Sequence, residues 1–128
     1  MPDVWDEIAE SWSHLRSWPI DEAIEFANRI NPGKILDVGC GNGRNLIPFA
    51  KLNFDCYGID LSKKMIELAK KRFERLGLKG KFKVANATNI PFGDGSFDYA
   101  ICIAVLHHLK KEDCEKALYE IRRILKSN

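Results

Sequence analysis

Lys34-Ile35-Leu36-Asp37-Val38-Gly39-Cys40-Gly41-Asn42-Gly43-Arg44-Asn45 is the stretch that decides how this chain is read. Ile35 to Val38 has the character of a short buried strand. Three glycines at alternate positions follow, and then an apolar-periodic stretch from Asn42 to Lys51 with Leu46, Phe49 and Ala50 on one face. Glycines between a strand and a helix let the backbone approach a ligand closely. The dinucleotide fingerprint G-x-G-x-x-G is not met, because the spacing is G-x-G-x-G and Arg44-Asn45 come next. Asp37 is a second objection: a carboxylate at the end of the strand would repel a pyrophosphate.

Such a carboxylate suits a ligand carrying positive charge. S-adenosylmethionine carries two, an ammonium and a sulfonium. Its ribose hydroxyls also need a partner, and Asp60, which closes a second strand in Cys56-Tyr57-Gly58-Ile59-Asp60-Leu61-Ser62, is placed to accept them. Charge-assisted hydrogen bonds of this kind contribute about 1.5–3 kcal/mol each.

Outward from this stretch the pattern alternates. Asp3 is placed to cap a helix from about Val4 to Leu15. Pro19, Asp21 and Glu22 open a second helix with an apolar stripe of Ile20, Ala23, Ile24, Ala27 and Ile30, and Asn31-Pro32-Gly33 stops it. Phe54 to Ile59 reads as a second strand. Ser62 caps a long helix to about Leu76, carrying Met65, Ile66, Leu68, Ala69 and Phe73. Lys81 to Ala85 reads as a third strand, Phe97 to Ile103 as a fourth and parallel one, and Lys111 to Lys126 as a last helix. Strands alternating with helices give an α/β fold, a doubly wound parallel sheet.

The totals agree with one compact domain. The chain has 128 residues, 45% hydrophobic and 30% charged, with a net charge of +2. No apolar run approaches the roughly 20 residues of a membrane span, and the acidic start Met1-Pro2-Asp3-Val4-Trp5-Asp6-Glu7 is unlike a secretory signal. Cys40, Cys56, Cys102 and Cys114 occur singly, as thiols in a reducing cytoplasm do, and no metal-ligand spacing is present.

Four linked motifs between Lys34 and Lys126 resemble the class I S-adenosylmethionine-dependent methyltransferases. They are Ile35 to Gly43, then Gly58-Ile59-Asp60-Leu61-Ser62, then Val84 to Asp98, then Ile101 to Leu109. The resemblance implies a Rossmann-like sheet of strand order 3-2-1-4. It further implies a helical substrate-side lid over residues 1–31 and a cofactor-binding core over residues 32–128. By the same resemblance the backbone of Gly39, Cys40, Gly41 and Gly43 meets the methionine part of the cofactor, and Asp37 faces its ammonium. Asp60 takes the ribose hydroxyls, Leu61 packs on adenine, and Asn86 with Ala87 meets the adenine edge, the amide standing where the family usually has aspartate. Ile103 and Ala104 pass close to the methionine end.

The entry segment Ile8-Ala9-Glu10-Ser11-Trp12-Ser13-His14-Leu15-Arg16-Ser17-Trp18-Pro19 resembles that of the tRNA wobble-uridine methyltransferases, which esterify a 5-carboxymethyl group. Their motif commonly reads I-A-x-x-[FW]-S-x-T-R-x-x-x-W-P. Here the arginine lies two residues before the tryptophan, and leucine replaces threonine. A carboxylate is already nucleophilic at neutral pH, so the enzyme must position it rather than deprotonate it. Arg16 is the expected carboxylate guide, Trp18 the expected base-stacking residue, and His107 a substrate contact or weak base.

Two alternatives stand beside this reading. One is a small-molecule, quinone-pathway-like C-methyltransferase, which would share the Asn89 to Asp98 and Val105 to Leu109 stretches. The other is a non-catalytic cofactor-binding subunit or fragment, because class I domains usually have seven strands and four are legible here. The fourth would then be an open edge, inviting self-association. The tRNA resemblance also suggests a small zinc-binding activator as partner. Basic residues such as Lys70-Lys71-Arg72 read mostly as solvated helix faces among Glu67, Glu74, Glu112 and Glu115.

Overall fold

A computed structural model describes residues 19–103 and 109–127. In chain order these form α1 (Asp21–Arg29), β1 (Lys34–Val38), a 3-10 turn (Arg44–Leu46) that runs into α2 (Ile47–Lys51), β2 (Asp55–Asp60), α3 (Lys63–Leu76), β3 (Lys81–Val84), β4 (Tyr99–Ile101) and α4 (Lys111–Ile124). The four strands make one sheet in the order β3-β2-β1-β4, and every pairing is parallel. This is the 3-2-1-4 arrangement that the sequence implies. Ile35 lies opposite Cys56 on one side and Tyr99 on the other, and Val38 lies opposite Ile59. The ends of β1 and β2 that carry Asp37 and Asp60 therefore open at the same mouth.

Period-two alternation divides the strand side chains between two cores. Ile35, Cys56 and Phe82 join Ala23, Ala27, Leu46, Phe49, Ala69 and Phe73 under α1, α2 and α3. Leu36, Val38 and Ile59 join Ile90, Phe97, Ala117 and Ile124 under α4 and the loop before β4. The α3 boundaries match the sequence: the Ser62 hydroxyl accepts the Met65 N–H at 3.1 Å, and Gly77, at φ 69°, turns the chain out of the helix.

The last helix ends at Ile124 and the third strand at Val84, within two residues of expectation, and two further elements are markedly shorter than the sequence suggests. The helix expected from Asn42 becomes α-helical only at Ile47. Gly43 sits at φ 82°, and Pro48 has no N–H with which to extend the ladder back to Arg44, so Ile47 bonds the Arg44 carbonyl in a 3-10 turn instead. The strand expected from Phe97 to Ile103 pairs with β1 only over Tyr99–Ile101. Phe97 spends its backbone on the segment after α4, donating to Ile124 O and accepting from Lys126 N, both at 2.9 Å. Asp98 is where the chain turns to β1, through its N–H to Lys34 O. β4 is half-buried and lies at the edge of the described sheet, as expected for a fourth strand with no fifth beside it. Among the described residues no helix is long and apolar enough to cross a membrane.

Candidate cofactor-binding site

Backbone conformation, hydrogen bonds and close packing fix the glycine loop. Gly39, Gly41 and Gly43 all have left-handed backbone, at φ 79°, 54° and 82°. At Gly43 a side chain would also meet Ala69 Cβ and Phe73 Cε1, each at 3.3 Å, so α3 packs against the loop itself. Gly39 and Cys40 donate to Ile59 O at 2.8 and 2.9 Å, which extends the β1–β2 ladder into the loop. The Gly58 position could not take a side chain either, since Cys40 Sγ and Phe82 Cδ1 would lie 2.8 Å from it.

Asp60 joins the two halves of the mouth. Its Oδ2 accepts the Gly41 N–H and its Oδ1 accepts the Ser62 N–H, each at 2.9 Å. Its backbone carbonyl accepts the Ala85 N–H at 3.0 Å, bringing the segment after β3 alongside. Leu61, the next residue, is 53% exposed, an apolar surface at the rim of the mouth.

Asp37 is buried at 2% exposure beneath the loop. Burial first, and then the charge of Asp60, push its carboxyl up to about 8, while the Arg44 guanidinium pulls the other way. An anionic ligand would worsen this situation, whereas a cationic one would relieve it. The Cys40 thiol is pushed well up by burial and by the same two carboxylates, so it stays protonated and acts as packing.

The expected cofactor residues Asp37, Gly39, Cys40, Gly41, Gly43, Asp60 and Leu61 are thus gathered at one mouth. Ala87 is buried in the second core, and Ile103 is half-buried just after β4. At Asn86 the side-chain oxygen accepts the Thr88 N–H at 3.0 Å and the Thr88 hydroxyl at 2.9 Å. The acceptor that the sequence reading assigned to the adenine amino group is therefore engaged in a local turn. Arg16, Trp18 and His107, with Ala104, lie outside the described residues. Sequence reasoning missed Asn45. It is buried, and its Oδ1 accepts the Ile20 N–H at 3.0 Å, tying the start of α1 to the glycine loop. A polar residue inside an apolar helical stretch was the available signal. It also missed Arg123, which reaches back from α4 to hold the loop carrying Ala87. It donates to Ile90 O and Phe92 O at 2.8 Å and pairs with Glu120 at 2.7 Å and Asp94 at 2.9 Å.

The chain is similar to known proteins in sequence and in fold. The family described as a methyltransferase domain matches residues 35–128, and the chain belongs to it. A tRNA (carboxymethyluridine(34)-5-O)-methyltransferase of Arabidopsis thaliana is 36% identical over 96% of this chain and 29% of its own length. Norajmaline N-methyltransferase of Rauvolfia serpentina is also 36% identical, over 82% of this chain and 38% of its own. The chain thus spans less than two fifths of either curated relative. A crystal structure of a SAM-dependent methyltransferase from Methanosarcina mazei superposes with a TM-score of 0.73 at 29% identity, covering 84% of this chain and 54% of that one. The class is that of the S-adenosylmethionine-dependent methyltransferases, and its cofactor is S-adenosylmethionine. The residues present fit that group: a buried carboxyl whose ionised form a cation would favour, an acceptor at the end of β2, and a glycine loop that a ligand can approach closely.

Proposed function

We propose that this chain carries the cofactor site of a methyltransferase that esterifies the carboxymethyl group of a tRNA wobble uridine. The observation that carries the reading is the extent of the match. The tRNA methyltransferase relative aligns over 96% of the chain, which leaves no room to omit Arg16 to Pro19, whereas the alkaloid N-methyltransferase covers 82%.

In this reading the glycine loop holds the methionine part of the cofactor, Asp37 balances its positive charge and Asp60 holds the ribose. When bound, the cofactor supplies a methyl group on a sulfonium, an electrophile ready for in-line attack. The chain's own task is placement. Arg16 would guide the substrate carboxylate, Trp18 would stack the flipped base, and His107 would contact substrate or act as a weak base. Rate comes from holding the carboxylate oxygen at about 3–3.5 Å from the methyl carbon, not from proton removal.

The test uses tritium-labelled cofactor and tRNA bearing 5-carboxymethyluridine at the wobble position. A methyl ester releases its label as volatile methanol in mild alkali. Alkali-labile transfer that is lost in Arg16→Ala is expected. Alkali-stable label, or transfer only to small amines, favours the second reading, a small-molecule methyltransferase like the alkaloid relative.

A further inference from the structure

Charge is distributed unevenly along this chain. Residues 63–83 hold nine lysines and arginines against two glutamates, a net +7. The remaining residues hold eleven basic against sixteen acidic, a net −5, out of +2 for the whole. From Arg75 to Gly93 there is no acidic residue. The fold gathers this segment at one place, because it is α3 and β3, and β3 is an outer strand of the sheet. Lys63, Lys70, Lys71, Arg75, Lys79, Lys81 and Lys83 are all exposed. Phe82 points under α3, where its ring packs edge-on to Phe73 at 4.8 Å. Lys81 and Lys83, one residue to either side, project from the other face of the sheet. Positive charge therefore wraps around the rim of β3.

The mouth itself holds the Asp60 carboxylate at its base. A polyanionic substrate is disfavoured beside it and is better held by positive charge outside it. The α3–β3 rim is adjacent: Asp60 ends β2, Ala85 N–H bonds its carbonyl, and Val84 pairs with it. We propose that the α3–β3 rim is an RNA-docking surface that binds the phosphate backbone of the substrate and delivers it past the cofactor mouth. The inference deepens the tRNA reading and rests on it for the identity of the polyanion.

The test compares two variants of equal net charge. One carries Lys71→Gln, Arg75→Gln, Lys79→Gln and Lys83→Gln on the rim. The other carries Lys51→Gln, Lys110→Gln, Lys111→Gln and Lys116→Gln elsewhere on the surface. Binding of fluorescently labelled unmodified tRNA is followed by anisotropy across a salt series, and cofactor binding by calorimetry. The rim variant should lose about tenfold or more in RNA affinity. Its log–log salt slope should be shallower by about 3, as expected when four phosphate contacts go. The second variant should bind within about twofold of the parent, and both should keep their cofactor affinity. Equal losses in the two variants overturn the proposal. So does an unchanged rim variant, which would leave the edge lysines the simpler task of preventing strand-to-strand aggregation. Polyglutamate competing as well as RNA would also overturn it, in favour of an acidic protein partner. Unmodified tRNA carries no acceptor carboxylate, so this outcome is separable from failure of the ester assay.

Discussion

The two faces of the sheet are covered by different means. One lies under three helices whose aromatic rings meet edge to face: Phe49 with Phe26 at 6.0 Å and with Phe54 at 5.2 Å, and Phe73 with Phe82 at 4.8 Å. The other lies under one helix and a polar loop. There Tyr57, Phe92 and Phe97 pack together, but the loop backbone is held by two side chains from α4, the Arg123 guanidinium and the Glu120 carboxylate. Burial is non-directional, so the first face depends on volume and shape. Directional hydrogen bonds hold the second, between groups about thirty residues apart in sequence. The first face supports the glycine loop, and the second positions the segment with Asn86 and Ala87 beside it.

This contrast can be broken from either side. The largest effect is expected for Phe49→Ala. Phe49 is fully buried, and such truncations cost about 3–5 kcal/mol. Urea unfolding should show a much lower midpoint, with cofactor binding lost only because the chain unfolds. Arg123→Ala should cost less, about 2 kcal/mol, through stranded carbonyls and a Glu120 that keeps the Ile90 N–H but loses its cation. Its signature should be local: hydrogen exchange should quicken across residues 86–97 while α3 stays protected. Arg123→Lys keeps the charge but not the planar fork, and should recover only part of that protection.

The smallest and most specific effect concerns Asp37. Its unfolded counterpart ionises near 4, whereas the buried carboxyl holds its proton to about 8. The folded chain therefore binds more protons than the unfolded one between those values. Stability of the cofactor-free chain should fall as pH rises from about 4 to about 8 and then level off. A cationic cofactor favours the ionised form. Relative to Asp37→Asn, cofactor affinity should thus rise on the order of tenfold between about pH 6 and 9, measured by calorimetry. The variant comparison removes the titration of the cofactor's own α-amine, which lies near 8. Parallel pH curves for the two proteins would show that Asp37 does not answer the cofactor's charge.

Much of this was legible in the sequence because it depends on short-range rules. Ser62 and Gly77 mark the ends of α3 by capping and by left-handed backbone. The alternate glycines and Asp60 mark the mouth because strand ends in a parallel sheet must converge. The short α2 was less legible, since Pro48 in a first turn is compatible with a helix starting on either side of it. The shortening of β4 could not be read at all: Phe97 has two candidate neighbours, and only the packed chain shows that the segment after α4 takes its backbone. The basic residues of α3 and β3 read as ordinary solvated faces until the fold placed both elements on one rim.

The sequence by itself determined the class of fold and the cofactor, and it marked the glycines and carboxylates that the fold gathers at one mouth. These follow from periodicity, glycine conformation and the sign of a buried charge, all of which act over a few residues. The tertiary structure decided how Asn45 and Arg123 brace the site, how Thr88 engages Asn86, and where positive charge accumulates. Those features arise when groups far apart in the chain meet at distances where hydrogen bonds and Coulomb interactions take effect.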